Sequence, residues 1–314
     1  MNLYHLLKKE SKELYNTMKI AQEIDIKLQE ETLTELMLIN LKSSIQNMGL
    51  NTKIKQCNKS DEFKTGTDFL WFVGSNKKKS WVAFYIQAKK LREDQKYFLK
   101  HNYKNKTGNE SAPIIRQVDK LIAAAQDIHL GNKDRLKAIP IYCFYNYLND
   151  ETLKTAAYLD VDDFRHISKE KGEFSFTYTS AYHVCSLLNQ AYPPIKGKHR
   201  NTFSFSELKG LPIYTLFCNT NTNTNTNTNT NTNTNTNTNT NQSWATGLFT
   251  AYQNVHNTLF GDRHSNFRFF LTHNEYTFQE LPPFVESLIE DSKDTSGKYD
   301  EKDLPSYIMV TDED

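Results

Sequence analysis

Apolar and polar positions along the chain fall into a few distinct patterns, and each predicts an element. Over residues 2–18, Leu3, Leu6, Leu7, Leu14 and Met18 recur at helical spacing among charged positions, which predicts an amphipathic helix. The stretch 30–47 (EETLTELMLINLKSSIQN) predicts a stronger helix, ended by Gly49. A short strand is expected at 52–57. The run 67–73 (TDFLWFV) is continuously apolar and aromatic, as in a strand buried on both faces. GSNKKKS supplies a turn, and 81–88 (WVAFYIQA) supplies the next strand, antiparallel to the first if the turn closes a hairpin. A helix follows Pro113 over 114–129, then a buried strand over 138–145 (AIPIYCFY). The order α-β-β-β-α-β implies an α/β core in which helices flank a mixed sheet.

Beyond residue 150 the periodicities weaken. Strands are expected at 174–179, 211–217 and 267–271. Helices are expected at 182–190 and 244–259, with another running to Asp291 after the Pro282-Pro283 break. The division that results is an α/β domain over 1–150, an α+β elaboration over 151–290 and a loose acidic tail over 291–314. Within the elaboration, residues 219–241 are strict Asn-Thr alternation, eleven pairs and a final Asn. The tract has no charge and no large apolar side chain, so nothing drives it into a core. It reads as an extended loop, with a polar β-ribbon as the rival.

Composition narrows the class. A length of 314 residues suits one large domain or two modest ones. Hydrophobic residues at 38% and aromatics at 12% are too many for a wholly disordered chain. No apolar run approaches the length of a membrane span, and the N-terminus lacks the apolar region of a signal peptide. Cys57, Cys143, Cys185 and Cys218 form no CxxC pair, which favours a reducing cytoplasm over a zinc or disulfide framework. The histidines are scattered, and GxxxxGK[ST] is absent, so an NTP-driven motor is not expected.

The candidate chemistry lies in residues 66–90, GTDFLWFVGSNKKKSWVAFYIQAKK. Gln87 and Lys89 stand two apart on a strand and share a face. If the hairpin pairs as read, Asp68 lies beside them. A carboxylate, an amide and an ammonium then meet at the end of an otherwise apolar strand, where polar groups need partners or a function. Asp68 can ligate Mg²⁺, the Gln87 carbonyl can add an uncharged ligand, and Lys89 can position water or offset phosphate charge. The plain alternative is a strand-end lysine that snorkels to solvent with Asp68 as its ion pair.

Asp68 followed by Gln87-Ala88-Lys89 resembles the active-site signature of PD-(D/E)xK nucleases. It is most similar to the variant with Gln in the third position, as in Mrr-type restriction endonucleases. The resemblance spans residues 30–145. It implies a restriction-endonuclease-like core and a metal-dependent endonuclease, using Mg²⁺ or Mn²⁺, that hydrolyses DNA in restriction or another anti-phage defence. Two positions depart from the pattern. Thr67 stands where the name-giving Pro would be, and Gln87 replaces the usual acid. A further carboxylate is then wanted. In this fold the first core helix often supplies one, which points to Glu35; Glu62 is the other candidate. A solvent-facing Glu35 and a plain loop acid at Glu62 are the competing readings. The helix after the third strand carries Arg116, Gln117 and Lys120, so Gln117 and Lys120 are candidate substrate contacts, as are Lys90 and Arg92. An ordinary amphipathic helix is the simpler reading of the first two.

Charge distribution is compatible with DNA. The formal net charge is only +1. Yet residues 77–106 hold ten Lys or Arg against Glu93 and Asp94, with Trp81, Tyr97, Phe98 and Tyr103 interleaved. Residues 285–314 hold ten acids against three lysines. A solvated lysine-rich loop is the rival for the first stretch, and a non-catalytic nucleic-acid-binding module on a degenerate nuclease fold is the rival for the whole. No membrane partner is expected, and a homodimer stays open.

Overall fold

The computed structural model describes residues 3–57, 66–99, 102–103, 115–126, 137–190, 201–220, 244–260, 276–290 and 304–312. In chain order the first elements are α1 (Leu3–Glu23), α2 (Glu30–Asn47), β1 (Asn51–Gln56), β2 (Phe69–Ser75), β3 (Ser80–Lys90), β4 (Lys96–Phe98) and β5 (Asn102–Tyr103). Next come β6 (Ile115–Arg116), α3 (Gln117–Gln126), β7 (Ile139–Tyr145), α4 (Asp150–Lys154), β8 (Phe176–Ser180) and α5 (Ala181–Gln190). The last are β9 (Thr202–Ser204), α6 (Phe205–Leu208), β10 (Leu211–Pro212), α7 (Trp244–Phe260), β11 (Thr277–Phe278), α8 (Pro283–Glu290) and β12 (Tyr307–Asp312).

An α/β architecture results, with a mixed sheet flanked by helices. The sheet runs β1–β12–β2–β3–β7–β8–β10, with β11 against the first residues of β3. The hairpin forms as its pattern predicts: β2 and β3 are antiparallel from Phe69↔Ile86 to Ser75↔Ser80. Its turn leaves Gly74 no room for a side chain, since a Cβ there would stand 2.2 Å from the Ser80 carbonyl oxygen. β3 and β7 pair in parallel, Gln87 opposite Tyr142 and Lys90 opposite Tyr145. Every residue of β2 and of β7 is buried, because helices cover both faces. α2 lies on the face that carries Tyr145, whose hydroxyl donates to Thr34 Oγ1 at 3.0 Å. α3 lies on the face that carries Gln87.

α1 extends to Glu23 and buries the expected stripe, Leu3, Leu6, Leu7, Leu14 and Met18. It packs across the later part of the chain. Buried Glu173 takes Lys8 at 3.1 Å and accepts from the Tyr214 hydroxyl at 2.6 Å, so the first helix is tied to residues beyond 170.

Three expectations need correction or qualification. The segment 307–312 is no loose tail: Ile308, Met309 and Val310 are buried, and the strand lies between β1 and β2, antiparallel to one and parallel to the other. Its four apolar residues, YIMV, outweigh the acids around them once both flanking strands supply hydrogen bonds. The strand expected over 211–217 stops at Pro212, which has no N–H to continue a ladder, and turns into a 3₁₀ helix, Ile213–Thr220. The sheet also passes the boundary expected at residue 150, since β8 and β10 extend it beyond β7. The strand expected at 267–271, and residues 221–241 of the Asn-Thr tract, lie outside the described residues. No helix among the described residues is long and apolar enough to cross a membrane.

Candidate functional site

The hairpin register places Asp68 one residue before β2, opposite Gln87. Its backbone N–H donates to the Ile86 carbonyl at 2.9 Å, and its own carbonyl accepts from the Tyr307 N–H at 3.3 Å. Asp68 is thus held between β3 and the C-terminal strand. Cross-strand partners share a face, so the Asp68 carboxylate meets the Gln87 amide. Gln87 Nε2 donates to Asp68 Oδ2 at 2.5 Å and to the Ala88 carbonyl at 3.0 Å. The Ala88 N–H donates to the same Oδ2 at 2.6 Å. Gln87 is wholly buried, as is Cys143, whose thiol is pushed well above its ordinary value by burial and then by the Asp68 charge.

α3 brings the next group. Gln117, also buried, donates its Nε2 to Gln87 Oε1 at 2.8 Å. Gly66 permits this approach. It adopts a left-handed φ of +65°, and a Cβ at that position would stand 2.8 Å from the Gln117 carbonyl oxygen and 3.3 Å from Lys120 Cβ. One turn along α3, the half-buried Lys120 ammonium is lowered from its ordinary value by burial.

α2 brings the acid. Glu30, the first residue of the helix, takes Lys89 Nζ on Oε1 at 2.9 Å and the Lys90 N–H on Oε2 at 3.0 Å. The Lys89 side chain is only 14% exposed, so this pair is largely desolvated on the lysine side. The α2 acid that contacts Lys89 is therefore Glu30, while Glu35 Oε1 accepts from the Tyr307 hydroxyl at 2.7 Å. A readable signal distinguished them. Glu30 stands three, four and seven residues before Leu33, Thr34 and Met37, all buried, and so shares their stripe; Glu35 falls beside it.

A scan for known families matches residues 3–314 to a family of unknown function (DUF6615). The chain belongs to that family. No curated protein and no solved structure matches it.

Other candidates of this DUF6615 chain lie elsewhere. Lys90 turns its ammonium to the Leu28 carbonyl at 2.6 Å, and burial lowers it below the ordinary lysine value despite the nearby Glu93. In this position it braces the end of β3 against the chain just before α2. Arg92 lies exposed, 3.7 Å from Asp94. Gln117 is buried and donates to Gln87. Glu62 and the basic residues Lys100, His101, Lys104 and Lys106 lie outside the described residues. Lys77, Lys78 and Lys79 sit in the turn at the far end of the hairpin, ten strand residues or about 30 Å from Lys89. The basic stretch of the sequence is thus not one patch.

The donor set suits a hard divalent cation in kind. Asp68 Oδ2 and the Ala88 carbonyl oxygen converge on one amide nitrogen, and turning that amide end for end would add the Gln87 oxygen to them. Charge is scant. Both Glu30 oxygens are engaged by the lysines, and among the described residues no three His, Cys, Asp or Glu side chains form a metal-binding group.

Proposed function

We propose that the chain is a metal-dependent nuclease that hydrolyses phosphodiester bonds in DNA, with Mg²⁺ or Mn²⁺ as its cation. The reading is supported by one observation: Asp68 and Gln87 are hydrogen-bonded at the open end of the β2–β3 hairpin, and two residues further along β3 an acid from α2 holds Lys89. When bound, the cation would polarise the scissile phosphate and sharpen a water nucleophile. Asp68 supplies its one charged ligand, and the Ala88 carbonyl and the Gln87 amide supply neutral ones. Lys89 lies on the same face of β3 as Gln87, two residues on, where an ammonium offsets charge that builds on the phosphate. Glu30 holds that ammonium and keeps it from folding back to solvent. A role in restriction or another anti-phage defence rests on the resemblance to Mrr-type enzymes alone.

Supercoiled plasmid incubated with the protein and Mg²⁺ or Mn²⁺ tests this. The wild type is expected to nick or linearise it, and Lys89→Ala to lose at least about a hundredfold in rate. Cleavage unchanged in Lys89→Ala would overturn this site.

A second reading draws on a different detail. The amide nitrogen, not the oxygen, of Gln87 faces Asp68, and Glu30 is fully engaged. Such a site favours a nucleic-acid-binding module without catalysis. Its signature is DNA affinity that falls steeply with salt, and no cutting in any metal.

A further inference from the structure

Gln87 and Gln117 are both glutamines, both buried, and hydrogen-bonded to each other through one end of each amide. The other end of the Gln87 amide fills the space between Asp68 Oδ2 and the Ala88 carbonyl oxygen. That nitrogen engages the two oxygens a cation at this site would need. For the Gln87 oxygen to take its place the amide must turn end for end, and the group facing Gln117 then changes from acceptor to donor.

We propose that Gln117 sets which end of the Gln87 amide faces Asp68, and that the two glutamines turn as a pair when a divalent cation enters. This rests on the metal-dependent reading above and deepens it. An amide is nearly symmetric in shape and carries a donor and an acceptor, so a glutamine at 117 can answer either orientation of its neighbour. An acid could only accept there, and a lysine could only donate. Neither glutamine is open to water in place of its partner, so a mismatched orientation leaves a buried polar atom unmet. Gly66 packs against the Gln117 backbone, so α3 cannot shift toward the Asp68 loop to find Gln117 a different partner. Gln117 is thus a positioning residue. In the metal-free form the pair closes the site by donating to Asp68; in the metal-bound form it presents an oxygen.

Two measurements without DNA test the pair. The first follows the side-chain NH₂ signals of ¹⁵N-glutamine-labelled protein during a Mg²⁺ titration, with the Gln87 signal assigned by its loss in Gln87→Glu. The Gln87 and Gln117 signals are expected to shift together, on one binding curve. The second is calorimetry of Mg²⁺ binding. In Gln117→Glu, which can only accept, the Gln87 amide is expected to be turned already. Its NH₂ signal should then lie near the metal-bound wild-type position before any Mg²⁺ is added, and the Kd should fall about fivefold. Added charge alone would lower the Kd without moving that signal. If calorimetry shows Mg²⁺ binding that Asp68→Ala removes, yet the Gln87 signal stays put at saturation, the switch is wrong and the cation site stands. If the wild type binds no Mg²⁺ at all, both fall together.

Discussion

At Gly66 a methyl group has nowhere to go. Its φ of +65° disfavours any side chain, and the Gln117 carbonyl oxygen stands 2.8 Å from where a Cβ would be. Gly66→Ala is expected to cost about 2–4 kcal/mol, read from denaturant unfolding, and to weaken activity beyond that loss because α3 and Asp68 are pushed apart. Glu30 and Glu35 make a paired test. Glu30→Gln removes the charge that holds Lys89, and metal-dependent cleavage is expected to drop roughly tenfold or more. Glu35→Gln alters a side chain that accepts from the Tyr307 hydroxyl and should leave cleavage within about twofold. Equal losses from both would count against Glu30 as the residue that positions Lys89. At this scale the pairing of Asp68 with Gln87 was legible because a tight hairpin fixes its own register over nineteen residues. Glu30 is less conspicuous in the sequence than Glu35, which stands alone between Glu31 and Lys42, but the buried stripe picks out Glu30. The Gln117 contact depends on how a loop outside any periodic pattern brings α3 against Gly66, and no local signal reports that.

Among the elements, β12 has the largest consequence. It is inserted between β1 and β2, hydrogen-bonds to Asp68 and seats Tyr307 against Glu35. Truncation before residue 304 removes one strand from inside the sheet and exposes the edges of its two neighbours. The expected outcome is loss of cooperative unfolding and aggregation, followed by circular dichroism and light scattering. A truncated chain that keeps a cooperative transition would contradict the sheet order. The helices and the hairpin were legible from spacing because their hydrogen bonds are local. The place of β12 was not, since acids surround a short apolar run and its partners lie some 240 residues away. The order of the early elements along the chain was legible, but the insertion between β1 and β2 depends on chain closure that no window of sequence contains.

For the whole molecule, the core is rich in buried tyrosine. Burial raises the hydroxyls of Tyr97, Tyr145, Tyr158, Tyr178 and Tyr252 above their ordinary value. The folded state therefore holds these protons more tightly than the unfolded chain. Their contribution is fully present below about pH 10 and is lost as pH rises past it, by about 1.4 kcal/mol per pH unit for each group that stays protonated. Alkaline titration is expected to show phenolate absorbance rising together with loss of helical circular dichroism; ionisation of these groups without unfolding would contradict the burial. Charge, by contrast, was read too coarsely from the sequence. The +1 total conceals basic and acidic stretches, but the hairpin separates Lys77–Lys79 from the site, and the acidic C-terminus contributes a core strand. The case for DNA as substrate therefore rests on Asp68, Gln87, Lys89 and Glu30 and not on bulk charge. Cleavage of plasmid DNA by wild type and by Asp68→Ala, with folding matched by circular dichroism and Mn²⁺ varied against a chelator, tests that case most directly. The account predicts cutting by the wild type that requires Mn²⁺ and is lost in Asp68→Ala. Equal cutting by both proteins, or none by the wild type at any metal concentration, would contradict it.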